Sequence, residues 1–167
     1  MKILQADDHP LFREGIRYLL EQLDAKVELL EAGTVQAAVE ILEKQRDIDL
    51  ILLDLAMPGM NGFAGFHAIE ECNPAIPLVV LSASENPRDI RTAMKAGAAG
   101  YIPKSSTGET MINALKLVLK GGIYTPEIFS QLATSTEISP AFTESQRKVL
   151  TFMVEGLSNK QIAKNLY

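Results

Sequence analysis

The sequence predicts an α/β fold built on a five-stranded parallel sheet, and three observations lead to that prediction. Short apolar segments alternate with helical patterns over the first 125 residues, as parallel strands joined by crossover helices require. The segment Ile51-Leu52-Leu53 is apolar at every position, which indicates a central strand covered on both faces. This strand runs directly into Asp54 and a turn-forming Pro-Gly pair, so a polar site is expected at its end.

The predicted strands and helices follow one another in regular βα order. The strands are short apolar runs, whereas the helices place apolar residues three or four positions apart, as in Phe12, Ile16 and Leu19. Gly121-Gly122 ends the last helix of the series. We expect strands at 3–4, 27–30, 50–53, 78–81 and 101–102, alternating with helices near 12–23, 35–42, 63–72, 88–97 and 111–118.

The composition narrows the class of protein. Hydrophobic residues make up 47% of the 167 residues, which supports a packed core, and the net charge is −5. The lone Cys72 excludes an internal disulfide and a cysteine-rich metal site, which fits a reducing compartment. The chain opens without a signal-peptide pattern and contains no run of about 18 apolar residues. We therefore expect a cytoplasmic protein with no membrane partner.

A different kind of segment follows residue 125. Residues 126–141 contain several Ser, Thr and Pro residues and are predicted to be a linker. Residues 142–167 have a purely helical pattern, with a capping-box pair at Thr143 and Gln146 and a second helix from Ser158. This segment carries four basic and two acidic residues, in contrast to the acidic first part. It is predicted to be the start of a helix-turn-helix.

Five polar side chains are expected to meet at one edge of the sheet. Asp7 and Asp8 follow the first strand, Asp54 the third, Ser82 the fourth and Lys104 the fifth. The carboxyl ends of parallel strands share one edge, and ligands bind there. Three carboxylates a few ångströms apart repel one another by roughly 4 kcal/mol per pair at an effective dielectric of 20. A cation is therefore expected among them, and hard oxygen ligands suit Mg²⁺.

This set of residues predicts an aspartyl-phosphate site. Asp54 would attack a phosphoryl group, while the metal and Lys104 neutralise phosphoryl oxygens and Ser82 donates to another. A structural interpretation would make Asp8 a helix cap, Asp54 a turn residue and Lys104 a surface residue. Five such placements on one edge favour the functional interpretation. His9 is interpreted as a surface or helix-start residue rather than a metal ligand.

Four motifs resemble the receiver (CheY-like) domains of bacterial two-component response regulators. The segments "ADDHP", "LLDLAMPGMNG", "LSAS" and "AGAAGYIPKS" have the order and spacing of that family. The resemblance covers about residues 1–125 and implies a flavodoxin-like (βα)5 receiver. The tail, with "GLSNKQIA", resembles the opening half of the LuxR-type helix-turn-helix of the NarL/FixJ class. The recognition helix that follows in that family is not present, so we expect no specific DNA binding by this chain.

The resemblance implies how a phosphoryl group and a metal would be held. Asp54 is expected to be the phosphoacceptor. Asp7, Asp8, Asp54 and the backbone carbonyl of Ala56 are expected to bind Mg²⁺ or Mn²⁺.

The resemblance also implies a switch and a set of partners. Ser82 and Lys104 are expected to bind the phosphate. Tyr101 is expected to point to solvent before phosphorylation and to move inward when Ser82 engages the phosphate. The expected partners are a sensor histidine kinase, DNA in the full-length form only, and a second copy in a homodimer.

Two alternatives remain open: an aspartyl-phosphate-forming enzyme and a stand-alone phospho-dependent protein-interaction module. A phosphatase of this chemistry would need a general acid two residues beyond the nucleophile, where this chain has Ala56. We therefore expect a phosphoacceptor with at most weak self-dephosphorylation rather than an enzyme.

Overall fold

The computed structural model describes residues 1–126, which form five strands and five α-helices in strict alternation. The predicted linker beyond residue 126 and the predicted helices of residues 142–167 lie outside the described residues. The elements are β1 (Lys2–Ala6), α1 (Pro10–Leu23), β2 (Glu28–Ala32), α2 (Val35–Lys44), β3 (Leu50–Asp54), α3 (Ala64–Cys72), β4 (Leu78–Ser82), α4 (Pro87–Lys95), β5 (Gly100–Pro103) and α5 (Gly108–Leu119).

The five strands form one parallel sheet in the order β2-β1-β3-β4-β5. The predicted flavodoxin-like five-stranded parallel fold is therefore confirmed. The strand order reverses at β1, which lies between β2 and β3, with Ala6 opposite Leu53 at its carboxyl end. In open α/β sheets such a switch point leaves a crevice beyond the carboxyl ends of the strands.

Two apolar cores cover the two faces of the sheet. Successive residues of β3 point to opposite faces, so Ile51 and Leu53 join one core while Leu50 and Leu52 join the other. The first core contains buried residues of α2, α3 and α4, and the second contains those of α1 and α5. Every residue of β3 is buried, as the uninterrupted apolar run predicts.

Side-chain caps define where three of the helices begin. Thr34 accepts a hydrogen bond from the Ala37 amide at 3.1 Å before α2, and Asn86 caps α4 and Thr107 caps α5 in the same way. Helix α1 begins differently, with Pro10 at its first turn and His9 as its N-cap residue. The His9 side chain makes no capping hydrogen bond. Its ring is thus available for other contacts.

The edge of the sheet beyond β5 is covered by residues that follow α5. The Tyr101 amide donates to the Tyr124 carbonyl at 3.0 Å, and the Tyr124 amide donates to the Ala99 carbonyl at 3.1 Å. Gly100 faces Tyr124 at this edge, and a β-carbon added there would lie 3.4 Å from the Tyr124 β-carbon, an ordinary van der Waals contact. No helix of the described residues is long and apolar enough to cross a membrane.

An acidic pocket at the carboxyl ends of the strands

Three carboxylates meet beyond the ends of β1 and β3. Asp7 and Asp8 directly follow β1, and Asp54 is the last residue of β3. Because β1 and β3 are neighbours with their carboxyl ends in register, these side chains converge, and ligand atoms from Asp7, Asp8, His9 and Asp54 all lie within 4.8 Å of one another. Asp7 and Asp54 are 1% exposed, so their charges need partners.

Lys104 supplies a positive charge to both buried carboxylates. Its Nζ lies 2.8 Å from Asp54 Oδ2 and 2.7 Å from Asp7 Oδ2. The residue directly follows β5, and its backbone amide donates to the Ser82 carbonyl at 2.7 Å, which fixes its position beside β4. The ammonium also lies 4.5 Å from the centre of the Phe12 ring. One lysine thus pairs with two acids, and the pocket keeps a net negative charge.

Backbone amides hold two of the carboxylates in place. The Ala56 amide donates to Asp54 Oδ1 at 3.0 Å, and the His9 amide donates to Asp7 Oδ1 at 2.8 Å. Arg13 donates to the backbone carbonyl of Asp7 at 2.7 Å and thereby ties α1 to the loop. The pocket is therefore built before any ligand arrives, which reduces the reorganisation that binding requires.

The pocket fits a divalent cation. Asp7 Oδ2 is buried and accepts no hydrogen bond within the described part of the chain. Lys104 Nζ lies 2.7 Å from Asp7 Oδ2, but the angles of this contact do not meet the criteria for a hydrogen bond. The two groups therefore form an ion pair only. A buried carboxylate oxygen of this kind calls for a further cation or a donor. Carboxylate oxygens are the ligands that Mg²⁺ takes in proteins, so the donors present suit the predicted ion.

His9 reaches into the pocket, which the sequence interpretation missed. Its Nδ1 lies 2.9 Å from Asp8 Oδ1, 3.2 Å from Asp7 Oδ1 and 3.6 Å from Asp54 Oδ2. The residue is also the N-cap of α1, and its side chain is 62% exposed, as a helix-start residue should be. The available signal was its position directly after Asp8 in the loop that ends β1.

Ser82 lies at the carboxyl end of β4 beside a cavity. It is 5% exposed, and its Oγ accepts a hydrogen bond from the Ser84 amide at 3.1 Å. Ala56, Ser82, Ser84 and Asp89 are among the residues that line this cavity of about 420 Å³. The Ala56 amide faces Asp54, as described above, and the metal contact predicted for its carbonyl stays a prediction.

Tyr101 is completely buried, and its hydroxyl donates to the Ser84 carbonyl at 2.8 Å. The ring therefore does not point to solvent in this structure, in contrast to the outward position expected before phosphorylation. The cause is that the ring packs in the same core as α4, where it fills space between that helix and the sheet. Burial raises the pKa of the Tyr101 phenol and is the largest cause of the shift. Hydrogen bonds with Ser82 and Ser84 oppose part of this rise, and the charges of Asp89 and Asp54 add to it.

The sheet and the pocket together define a flavodoxin-like α/β domain with an acidic, lysine-paired site at its switch point. The sequence profile of the family described as "Response regulator receiver domain" matches residues 3–116. The chain belongs to this family. The resemblance predicted from the four sequence motifs is thereby confirmed, and neither of the two alternatives is favoured.

Curated relatives and solved structures support this family assignment, and two of the three below cover 99% of the chain. The glycerol metabolism activator of Pseudomonas putida is 38% identical and covers 99% of this chain, which spans 80% of that protein. A solved LuxR family DNA-binding response regulator from Silicibacter pomeroyi has 33% identity and a TM-score of 0.67, covering 77% of this chain and 98% of its own. A structure of two RcsB dimers bound to two parallel DNAs has 29% identity and a TM-score of 0.72. The match covers 99% of this chain and 82% of the RcsB chain.

Proposed function

We propose that Asp54 accepts a phosphoryl group from a sensor histidine kinase and that this event controls a DNA-binding output. The observation that carries the proposal is the position of Asp54, whose carboxylate ends the central strand with one oxygen on the Ala56 amide and the other on Lys104. A nucleophile held in this way meets an incoming phosphoryl group in a fixed orientation. Family membership and the motif match support the same role.

In the transfer step, an Asp54 carboxylate oxygen forms a bond to phosphorus. The bond from phosphorus to the donor atom breaks, and its electron pair stays with the donor, a histidine ring nitrogen of the kinase or the acetate of acetyl phosphate. Lys104 neutralises charge on a phosphoryl oxygen, and the Ser82 hydroxyl donates to another. The aspartyl phosphate is thus stabilised without a general acid from the chain.

Asp7, Asp8 and Asp54 would hold Mg²⁺ or Mn²⁺, with the Ala56 carbonyl as a further ligand. When bound, the ion supplies positive charge where the phosphoryl group carries negative charge. Its charge also offsets the repulsion among the three carboxylates, which Lys104 alone balances only in part.

The output would begin at Tyr101 and β5. A phosphate that draws Ser82 toward it would alter the loop of Ser84, whose carbonyl accepts from the Tyr101 hydroxyl. Tyr101 in turn shares a backbone hydrogen bond with Tyr124, at the start of the segment that leads to the tail. A path therefore runs from the phosphate to the end of the receiver.

The remaining parts of the proposal concern partners and location. The Silicibacter pomeroyi protein is described as DNA-binding, and RcsB was solved as dimers on DNA. By analogy, we assign this protein a homodimeric, DNA-bound state, a cytoplasmic location, and no enzymatic activity beyond weak self-dephosphorylation.

Intact-mass spectrometry after incubation with Mg²⁺ and acetyl phosphate tests the phosphoacceptor assignment. The chain should gain the mass of one phosphoryl group, and Asp54→Asn should gain none. Asp49→Asn is the matched control. Asp49 is an exposed acid directly before the first residue of β3, at the end of the strand opposite Asp54, so this variant should still be labelled. Stoichiometric labelling of Asp54→Asn, with its fold intact by circular dichroism, would refute the assignment.

A further inference from the structure

We infer that the His9 imidazole is a metal ligand in the acidic pocket and makes the metal site there prefer Zn²⁺ over Mg²⁺. This inference rests on the metal site of the proposed function and adds a nitrogen ligand to it. It departs from the sequence interpretation, which gave His9 no role in metal binding.

The spacing of the ligand atoms supports a single ion. In an octahedral shell with bonds of about 2.1 Å, neighbouring ligand atoms lie about 3.0 Å apart, that is, the bond length times the square root of two. His9 Nδ1 lies 2.9 Å from Asp8 Oδ1 and 3.2 Å from Asp7 Oδ1. Its distance to Asp54 Oδ2 is 3.6 Å, which small side-chain adjustments would shorten. His9 Nδ1 thus already lies at about the separation of a neighbouring ligand from two of the acids, and all four ligand atoms lie within 4.8 Å of one another.

A second observation, independent of the histidine, favours a cation in the pocket. Asp7 Oδ2 is buried and accepts no hydrogen bond from the described residues. Lys104 lies beside it but also pairs with Asp54, so one positive charge serves two buried acids. A divalent ion among these side chains would supply the positive charge that Lys104 alone does not provide.

The fold holds the ring at the pocket without help from a metal. The His9 amide donates to Asp7 Oδ1 at 2.8 Å, and Pro10 follows as the first residue of α1. These constraints fix the backbone on both sides of His9. Because the side chain makes no capping hydrogen bond, its ring can turn Nδ1 toward the acids. The exposed side of the ring leaves Nε2 open to water, so Nε2 can carry the proton when Nδ1 binds an ion.

The nitrogen changes which ions the site favours. Oxygen ligands alone suit Mg²⁺ and Mn²⁺, whereas imidazole suits Zn²⁺ and other transition-metal ions. Affinity of a mixed nitrogen and oxygen site for divalent ions rises from Mn²⁺ toward Zn²⁺. The opposite arrangement is a protonated ring that donates to the carboxylates and must leave before an ion binds. That arrangement predicts tighter metal binding when the ring is removed. The two arrangements therefore predict opposite changes in metal affinity for a variant without the His9 ring.

Calorimetric titration of the 167-residue chain with Zn²⁺, Mn²⁺ and Mg²⁺ separates these arrangements. His9→Ala should lower Zn²⁺ affinity by about tenfold or more, the scale on which changes around metal-bound histidines act. Mg²⁺ affinity should change far less. His67→Ala is the matched control, because His67 is an exposed histidine on α3 and should leave all three affinities unchanged.

A second variant and an NMR signal distinguish loss of the imidazole ligand from a change in the structure of α1. His9→Asn supplies a favoured N-cap residue but no imidazole, so the loss of Zn²⁺ affinity should persist with α1 intact. In nitrogen-15 spectra, Zn²⁺ should shift Nδ1 of His9 and leave His67 unchanged. Unchanged or tighter Zn²⁺ binding in the His9 variants, or equal losses for Zn²⁺ and Mg²⁺, would overturn the inference.

The outcome for the parent chain separates this inference from the proposed function. If Mg²⁺ binds and supports phosphorylation of Asp54 while the His9 signals do not respond to Zn²⁺, only the inference fails. If none of the three ions binds, the metal site of the proposed function fails with it.

Discussion

Lys104 Nζ lies 2.8 Å from Asp54 Oδ2, although the two residues are 50 positions apart in the chain. The contact exists because β3 and β5 flank β4 and end at the same edge of the sheet. Each side chain comes from the end of its own strand, so the pair depends on the whole parallel arrangement. The same ammonium contacts Asp7, at the end of β1. One lysine therefore links three of the strands electrostatically.

Removing this ammonium should destabilise the metal-free protein. Lys104→Ala leaves Asp7 and Asp54 buried without their cation, and loss of one partner of a buried pair costs roughly 3 kcal/mol. Urea denaturation in the presence of EDTA should show a loss of that order, and saturating Mg²⁺ should recover part of it. Lys116→Ala, at an exposed position of α5, serves as control and should have little effect. Equal stability of Lys104→Ala and the parent in EDTA would contradict this role.

Ser82→Ala should separate phosphorylation from the response at Tyr101. The variant keeps Asp54 and Lys104, so it should still take up a phosphoryl group from acetyl phosphate. It lacks the hydroxyl that would follow the phosphate, so the phosphorylation-dependent change in the Tyr101 ring signals in NMR spectra should shrink or vanish. Ser105→Ala, at an exposed serine beside Lys104, should retain that change. A full Tyr101 response in Ser82→Ala would exclude the hydroxyl as the link.

Tyr101→Phe should reduce stability at neutral pH and alter its dependence on alkaline pH. The hydrogen bond to the Ser84 carbonyl is lost, at a cost of about 1 kcal/mol. In the parent, the raised pKa of Tyr101 means that the native state holds this proton more tightly than the unfolded chain does. The resulting stability is complete below the unfolded value of about 10 and is lost as pH rises through the folded pKa.

Denaturation between neutral pH and pH values above the ordinary tyrosine pKa, with phenolate absorbance recorded in parallel, checks this prediction. The parent should lose more stability over that range than Tyr101→Phe does. Tyr18→Phe is the control, because Tyr18 is 67% exposed, and it should keep the parent's alkaline loss. If the free energy of unfolding falls equally with rising pH in Tyr101→Phe and in the parent, another titrating group causes the alkaline loss of stability.

Two glycines should respond to alanine in opposite directions. At Gly65 an added β-carbon would lie 2.8 Å from the Met60 α-carbon, so backbone must shift, and a loss of roughly 1–3 kcal/mol is expected. At Gly15, in the exposed middle of α1, nothing lies within 4 Å, and Gly15→Ala should stabilise by about 1 kcal/mol through helix propensity. Thermal and urea denaturation measure both. A stabilised Gly65→Ala would mean that the loop before α3 is less tightly packed than described.

The sequence alone determined the order of the elements and the positions of the five polar residues at the strand ends. These features are local, since alternating apolar periods and a carboxylate after a buried strand can be read without knowing which strands are neighbours. The parallel sheet and the receiver family followed from them. The second strand was predicted at 27–30, whereas β2 runs from Glu28 to Ala32. Two of its residues are exposed, so it lacks the continuous apolar run that marks a central strand.

Tertiary structure decided which polar groups touch and which way the side chains turn. The inward position of Tyr101 depends on the space between α4 and the sheet. The pairing of Tyr124 with the edge of β5 depends on where α5 ends. The approach of His9 to the acids depends on how β1, β3 and α1 meet. Several of these contacts, such as His9 with Asp54 and Tyr101 with Tyr124, join residues far apart in the chain, and their directions are set by packing. A one-dimensional pattern of residue types carries the identity of these groups but not their geometry.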